Sequence, residues 1–295
     1  MRNHEIDDEV LGERRHLMSL AFRMLGTVAE AEDAVQETYI RWYRLTQEQR
    51  DAVEVPRAWL TRVASRVCLD VLGSARMRRE TYPGPWLPEP VPTLAFRDPT
   101  ADDPADRITL DDSVSSALLV VLEAMTPPER VVFVLHDVFA VPFAEIADTV
   151  GRSPAACRQL ASSARRRVRN SRDTKATRAT HDAAVRAFAA AARAGDLEAL
   201  VAVLDPAVVL QSDGGGIVSA ARQPVHGADR VARFLLGALE RNPEAEVLDQ
   251  ETPDGLGFAL WVEGRVTGVV TMDVEGDRVT DVRMVVNPEK LTFWN

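Results

Sequence analysis

The stretch that decides the fold runs from Thr126 to Arg169 and has the sequence TPPERVVFVLHDVFAVPFAEIADTVGRSPAACRQLASSARRRVR. Its first residues, Thr126–Glu129, have the composition of a helix start: a hydroxyl N-cap, a proline in the first turn and a glutamate at the capping-box position. A short helix over Pro142–Ala147 follows, and Gly151 then permits a left-handed turn. Ser153 and Pro154 begin the last helix, so the pattern predicts a helix-turn-helix.

The last helix of this motif has an apolar face and a polar, basic face. Arginine pairs with guanine and glutamine pairs with adenine in the major groove of DNA, and small residues allow close approach to the bases. The alternative from the residues alone is a surface helix hairpin with a solvated basic end, which we weigh as the less favoured interpretation. The candidate DNA-binding residues of this helix are Ser153, Ala155, Arg158, Gln159, Ser162, Ser163 and Arg166.

Charge is distributed unevenly along the 295 residues, whose formal net charge is -10. This total excludes a uniformly basic, histone-like protein, so nucleic-acid binding requires local basic patches. Two such patches are present: seven arginines and no acid lie within 152–172, and six arginines lie within 57–79 beside Asp70 alone. From Ala176 onward, eighteen acidic residues outnumber eleven basic ones, so this part is not expected to bind phosphates.

Composition also limits the class of protein. With 46% hydrophobic residues the chain can form cores, and 2 cysteines, Cys68 and Cys157, cannot form a disulfide framework. The acidic N-terminus does not have the pattern of a signal peptide, and the apolar runs are shorter than the ~20 residues that span a bilayer. We therefore expect a cytoplasmic protein without a membrane partner.

Breaks in composition predict the domain organisation. Seven prolines within Tyr82–Pro104 indicate an extended linker, and polar residues within Ser171–Thr180 indicate a second break. Helical periodicity is present before and between these breaks, including a helix from Pro56 to near Gly73. The predicted organisation is two all-α domains followed by an α+β domain, with bounds 8–81, 82–109 (linker), 110–172, 173–180 (linker) and 181–295.

The last of these domains begins with helices and ends with strands. The spacing of apolar residues predicts helices over His181–Leu204 and Val231–Leu239, with a strand from Val208 between them. Later strands are separated by turns at Gly264 and Gly276. The predicted strands are Val208–Leu210, Ala245–Asp249, Gly257–Glu263, Val266–Val274 and Arg278–Val286.

These motifs together resemble an RNA polymerase sigma factor of the extracytoplasmic-function (ECF) type, with its regions 2 and 4. AEDAVQETYIRWYRL (Ala31–Leu45) is similar to the polymerase-binding helix of the family, and PRAWLTRVASRVCLDVLGSARMRRE (Pro56–Glu80) is similar to the helix that opens the promoter around minus ten. Thr126–Arg169 resembles the domain that recognises the element around minus thirty-five. The resemblance implies polymerase contacts at Asp33, Gln36, Glu37 and Arg41. It also implies DNA contacts at Arg57, Arg62, Ser65, Arg66, Arg76, Arg78 and Arg79. Many family members have asparagine where this chain has Ser65, so a promoter sequence cannot be transferred.

The C-terminal part resembles the SnoaL-like, NTF2-like fold, an α+β cone with one cavity. Three short motifs are similar to marks of a sigma-factor group that carries such a domain: WLPEP in the linker, DGGGIV and NPEKL. The resemblance implies a multidomain protein regulated in cis by its last domain. The implied interdomain residues are Trp86, Leu87, Pro88, Glu89, Pro90, Asp213, Gly214, Gly215, Gly216, Asn287, Pro288, Glu289, Lys290 and Leu291.

The main hypothesis is therefore a non-enzymatic initiation factor with core RNA polymerase and promoter DNA as partners, and with no cofactor and no metal. A stand-alone DNA-binding regulator stays open, as do a ligand in the C-terminal cavity and a separate anti-sigma protein. A cavity enzyme is a further alternative. Its candidate acid–base residues are Asp213, His226, Trp261 and Asp273.

Overall fold

The structure, a computed structural model, describes residues 10–80, 82–92, 115–172 and 176–295, without the side chains of 75–80 and 170–172. These residues divide into two compact units. The first contains residues 10–80 and 121–169, and the second contains the remaining described residues. The division falls within one helix, after Val120.

The N-terminal part of the first unit is a group of helices around an apolar core. The core contains Leu17, Phe22, Trp42 and Leu60, all without exposed surface. Thr27 begins the second helix, because its Oγ1 accepts the N–H of Glu30 at 3.3 Å. The helices are α1 (Arg14–Leu25), α2 (Val28–Tyr43), α3 (Gln47–Asp51) and α4 (Pro56–Glu80).

The prediction that α4 ends near Gly73 is wrong, because the helix continues to Glu80. A glycine inside a helix costs only about 1 kcal/mol relative to alanine, and the surrounding turns are good helix formers. Position 73 has space around it, since an added Cβ would meet nothing within 4 Å. The longer helix extends to within two residues of the linker that begins at Tyr82.

The predicted helix-turn-helix is present. The capping box at its start forms, with the N–H of Thr126 donating to Oε2 of Glu129 at 3.0 Å. Gly151 has φ 64° and ends the second-last helix in the left-handed conformation. The elements are α5 (Ser116–Glu123), α6 (Pro127–Phe133), a π-helical turn (Val134–Val138), α7 (Phe143–Val150) and α8 (Pro154–Arg172).

The second unit contains an α+β domain with a mixed six-stranded sheet. The strand order is β2-β1-β6-β5-β4-β3, in which β1 and β6 are parallel and the other neighbours are antiparallel. The elements are α9 (Arg178–Ala194), α10 (Leu197–Val203), β1 (Leu204–Asp213), β2 (Val225–His226), α11 (Ala228–Arg241), β3 (Glu246–Thr252), β4 (Gly255–Val262), β5 (Arg265–Glu275) and β6 (Arg278–Val285).

One helix predicted over His181–Leu204 is two helices. Gly195 has φ 67° and ends α9, and the side chain of Asp196 caps α10 by accepting the N–H of Ala199 at 3.0 Å. The first strand also begins earlier than predicted, at Leu204. This break lets α10 change direction before the chain enters the sheet.

The two faces of the sheet have different coverings. One face packs against α9, α10 and α11 around Phe188, Leu200 and Met272. The other face places Ala259, Val269 and Val285 against Leu87 of the linker and against Leu291 near the C-terminus. Because side chains alternate along a strand, each strand contributes to both layers.

Candidate functional site: linker clamp and DNA-binding surface

The polar face of α8 is available to a ligand. Arg158, Gln159 and Arg166 are exposed, and the opposite face buries Cys157, Ala161, Ala164 and Val168. Ser153, Ala155 and Ser162 are also exposed. Ser163 differs from the other candidates, since it is half-buried and its Oγ donates to Oε1 of Glu129 at 2.9 Å. The structure therefore gives Ser163 a packing role between α6 and α8.

The arginines predicted on α4 fall into two groups. Arg57, Arg62 and Arg66 are exposed, whereas the side chains of Arg76, Arg78 and Arg79 lie outside the described residues. Ser65 is fully buried, and its hydroxyl donates to the main-chain oxygen of Thr61 at 2.7 Å. In this arrangement Ser65 has no surface with which to contact a base.

Within the first unit, α4 lies against the helix-turn-helix. Nη2 of Arg66 donates to the main-chain oxygen of Asp148, in the last turn of α7, at 2.9 Å. Arg130 of α6 is buried, and its Nη1 donates to the main-chain oxygen of Met24 at 2.8 Å and to Glu123 at 2.5 Å. Desolvation by burial lowers the pKa of Arg130 to about 9.

The predicted polymerase-binding residues share the outer face of α2. Asp33 and Gln36 are exposed, and Glu37 and Arg41 form an i,i+4 ion pair at 2.8 Å. A groove of about 600 Å³ runs beside Gln36 and contains the exposed apolar side chains of Ile40 and Tyr43. Neither residue is predicted from the sequence as part of this surface, although they follow Gln36 by about one and two helical turns.

A buried carboxylate joins the three motifs of the second unit. Asp213 accepts four hydrogen bonds: from Oη of Tyr82 (2.6 Å) and the N–H of Gly215 (3.0 Å) on Oδ1, and from the N–H of Leu87 (2.9 Å) and Nζ of Lys290 (2.7 Å) on Oδ2. Its side chain has no exposed surface. Burial and the hydrogen bond to Asp213 raise the pKa of the Tyr82 phenol. We call Tyr82, Leu87, Asp213 and Lys290 the linker clamp.

Lys290 contacts two neighbouring residues of the linker. Its Nζ also donates to the main-chain oxygen of Leu87 at 2.5 Å and lies 4.0 Å from the centroid of the Trp86 ring. Further along, Nε1 of Trp294 donates to the main-chain oxygen of Pro90 at 2.8 Å. Leu87 is buried in an apolar pocket of the sheet. The linker motif is therefore held through its backbone, through the Leu87 side chain and through the ring of Trp86.

The glycine loop fits closely against the other two motifs. Gly215 has φ 64°, and a Cβ there would lie 2.5 Å from Nδ2 of Asn287. Gly216 has φ 74°, and a Cβ there would lie 2.6 Å from Cγ of Pro83. Asn287 is buried and donates to Oη of Tyr82 at 3.1 Å. The other motif residues divide by exposure: Pro88, Glu89, Pro90, Gly214 and Leu291 are buried, whereas Pro288 and Glu289 are exposed.

The four candidate acid–base residues do not form one group. Asp213 belongs to the linker clamp, and Asp273 pairs with Arg283 at 2.8 Å. Trp261 packs on the linker-covered face, and His226 is exposed on β2. The helix-covered face, where an NTF2-like cavity is expected, packs apolar side chains from α9, α10 and α11.

Tyr82 and Trp294 were not among the predicted site residues. Tyr82 begins the proline-rich stretch and Trp294 lies three residues after NPEKL. Both are aromatic residues with a polar atom beside a short motif, and such residues commonly anchor extended segments. Their position beside a short motif is therefore the feature of the sequence that could have identified them.

Residues 10–78 match the family described as Sigma-70 region 2, and residues 115–168 match Sigma-70, region 4. The chain is 46% identical over 295 residues to the ECF RNA polymerase sigma factor SigJ of Mycobacterium tuberculosis, covering 95% of this chain and 91% of SigJ. It is 38% identical over 284 residues to the probable ECF sigma factor SigI of the same species, covering 94% and 92%.

Structural comparison gives the same relative. The crystal structure of M. tuberculosis SigJ superposes with a TM-score of 0.71 and 38% identity, covering 97% of this chain and 98% of that chain. A SnoaL-like protein from Burkholderia thailandensis is similar to 37% of this chain, with 19% identity and a TM-score of 0.29. Among the described residues, no helix is long and apolar enough to cross a membrane.

The chain combines a helix-turn-helix, a second helical domain and an α+β domain that holds the linker between the two helical domains. This is the fold of a multidomain DNA-binding protein, and it confirms the predicted fold class. The chain belongs to the ECF RNA polymerase sigma factors. It is accordingly a transcription initiation factor, and the alternative of a stand-alone regulator is not favoured.

Proposed function

We propose that this sigma factor docks on core RNA polymerase through α2, directs it to a two-part promoter and is regulated in cis by its C-terminal domain. The observation that supports the regulatory part best is the four hydrogen bonds to Asp213. Two of them come from the linker between regions 2 and 4, at Tyr82 and Leu87. A sigma factor acts in the cytoplasm, where the polymerase is, and we propose the same location for this chain.

The outer face of α2 supports the proposed polymerase contact. Gln36 lines the groove together with Ile40 and Tyr43, and Asp33 is exposed about one turn earlier on the same helix. Exposed apolar side chains bordered by charged ones are typical of a protein interface. We propose Asp33, Gln36, Glu37 and Arg41 as the polar part of this interface and Ile40 and Tyr43 as its apolar part.

The exposed faces of α8 and α4 are the proposed DNA contacts. Arg158, Gln159 and Arg166 present hydrogen-bond donors suited to base edges and phosphates. Arg57 and Arg62 extend a basic surface along the start of α4. We leave Ser65 and Ser163 out of the proposed contacts, because their hydroxyl groups are used within the protein.

The contact between α4 and α7 corresponds to a closed state. Elements around minus ten and minus thirty-five are separated by roughly 25 base pairs, or about 85 Å of B-form DNA. Helices joined by the hydrogen bond from Arg66 to Asp148 cannot lie on both elements at once. We propose that regions 2 and 4 separate when the polymerase binds.

The linker clamp acts on the chain that joins these two regions. Because the C-terminal domain is part of the same chain, its effective concentration near the linker is on the order of millimolar even before contacts form. By holding the linker, the clamp limits how far regions 2 and 4 can move apart when the closed state opens. Asp213 and Asp273 are not proposed as catalytic residues, because each neutralises a buried cation.

Transcription in vitro tests the proposal. The full chain, its Asp213→Asn variant and a chain truncated after Arg172 are compared with core polymerase on a promoter library. An Asp277→Asn variant is the matched control, because Asp277 is exposed in a hairpin turn of the same domain. We expect specific starts with core polymerase and a several-fold change in output for the Asp213 variant. Specific DNA binding without polymerase-dependent starts contradicts initiation, and equal output from both aspartate variants contradicts regulation by the clamp.

A further inference from the structure

The first turn of α5 is held by a side chain from the β3–β4 hairpin. Oδ2 of Asp254 accepts the N–H of Ser116 at 2.8 Å, and Oδ1 accepts the N–H of Ala117 at 3.1 Å. These residues are 138 and 137 positions apart in sequence and belong to the same compact unit. The helix they begin is the first helix of region 4.

Asp254 completes the N-terminal cap of α5, which the neighbouring residues cap only in part. A helix begins with amide groups that have no partner inside the helix. Ser115 satisfies one of them, since its Oγ accepts the N–H of Leu118 at 3.1 Å. Asp254 accepts the N–H groups of the two preceding residues, Ser116 and Ala117, and its negative charge also interacts favourably with the helix dipole. The N-cap of α5 is thus shared between its own serine and a distant aspartate.

The turn that carries Asp254 is firmly fixed. Oγ1 of Thr252, which is buried, donates to the main-chain oxygen of Gly255 at 2.8 Å. Gly255 has φ 130°, and the next residue, Leu256, donates its N–H to Oδ1 of Asp182 on α9 at 2.9 Å. The carboxylate is therefore presented from a rigid point of the sheet.

We propose that Asp254 is a positioning residue that anchors the start of region 4 and thereby sets the promoter spacer length that this sigma factor accepts. This inference rests on the proposed function. The linker clamp binds Tyr82 and Leu87 on one side of the stretch 93–114, and Asp254 binds residues 116–117 on the other side, so both flanks of this stretch are attached to one domain. Without the second anchor, region 4 is tethered to the clamp by a chain whose extended reach is about 75 Å.

Hydrogen exchange tests the anchor itself. In the full chain, Asp254→Ala should increase exchange of the amides of Ser116 and Ala117 about tenfold, the effect expected for losing a charged helix cap. Asp254→Asn keeps one oxygen acceptor and should give an intermediate increase. Asp277→Ala, the matched control in the β5–β6 turn, should leave these amides unchanged. Equal exchange in all four proteins contradicts the anchor.

Transcription on promoters with altered spacers tests the function of the anchor. With the two promoter elements moved by one or two base pairs either way, Asp254→Ala should retain severalfold more of its output at non-optimal spacers than the unaltered chain or Asp277→Ala. A purely structural role would lower output at every spacer without changing the profile, and that result overturns the proposal. If the unaltered chain gives no polymerase-dependent starts, the proposed function has failed, whereas the exchange measurement still decides the anchor.

Discussion

Nζ of Lys290 lies 2.7 Å from Oδ2 of Asp213, and both side chains are buried. Removing one partner of a buried ion pair costs about 3–5 kcal/mol when nothing compensates. Asp213 keeps three other donors, at Tyr82, Leu87 and Gly215. We therefore expect Lys290→Met to destabilise the linker clamp by about 2 kcal/mol.

Exchange of the Leu87 amide measures this effect at the clamp. A loss of about 2 kcal/mol corresponds to roughly thirtyfold faster exchange, because each 1.4 kcal/mol is a factor of ten. Arg265→Met, which removes an exposed cation from the same domain, is the control and should leave Leu87 unchanged. A Leu87 amide that is equally protected in both variants would show that Lys290 does not hold the linker.

Alanine substitutions at Gly215 and Gly276 distinguish the free-energy cost of backbone strain from that of a steric clash. Both have positive φ, 64° and 60°, but a Cβ at Gly276 meets nothing within 4 Å, whereas a Cβ at Gly215 collides with Asn287. Gly276→Ala should cost about 1 kcal/mol for the left-handed conformation alone. Gly215→Ala should cost about 1–3 kcal/mol more, because Asn287 must move away from Tyr82. Only Gly215→Ala should change transcription output, and equal outputs for the two variants would contradict a role of the loop.

His16 makes the first unit sensitive to acid. Burial, followed by the charges of Arg57 and Arg23, lowers its pKa from 6.5 to about 4. Because the folded state resists protonation that the unfolded state accepts, stability is unaffected above pH 6.5 and falls as the pH drops from 6.5 towards 4. The total loss of stability, reached below pH 4, is about 3 kcal/mol.

Denaturant unfolding at pH 7 and pH 4.5 measures this dependence. His16→Gln should remove part of the difference, since glutamine does not titrate. His226→Gln is the control, because His226 is exposed. An unchanged pH difference in His16→Gln would assign the acid sensitivity to other groups.

Arg130 connects region 4 to region 2 through the main-chain oxygen of Met24. Arg130→Met keeps much of the buried volume but removes this hydrogen bond, so we expect the closed state to open more readily. Promoter binding by the free protein should then strengthen severalfold, and the distance between labels on α2 and α8 should increase. Arg186→Met, an exposed change on α9, is the control. An unchanged label distance in Arg130→Met would contradict the role of Arg130 in closure.

Local patterns in the sequence predicted the elements that depend on local chemistry. The capping box at Thr126 and the left-handed Gly151 determine the helix-turn-helix, and both are visible within a few residues. The prediction that WLPEP, DGGGIV and NPEKL act together rested on the family resemblance, because no periodicity in the sequence brings Leu87, Asp213 and Lys290 together.

Long-range contacts were not predictable in the same way. The hydrogen bonds from Arg66 to Asp148 and from the N–H of Ser116 to Asp254 join residues 82 and 138 positions apart, and they depend on the packing of whole elements. Ser65 was assigned to the DNA surface by family position, although its place in a wide apolar stripe of α4 buries it. The parallel pairing of β1 with β6 was not predicted either, because the turns at Gly264 and Gly276 indicate only which strands are antiparallel neighbours.

The order in which the ribosome makes the chain gives the linker clamp a further meaning. Lys290 follows Leu87 by 203 residues, so both sigma regions are synthesised before the residue that locks the connection between them exists. Domains generally fold as they emerge, with the N-terminal ones first. A nascent or prematurely terminated product would therefore carry regions 2 and 4 without the linker clamp, and translation itself would set the delay before the clamp forms in each new molecule.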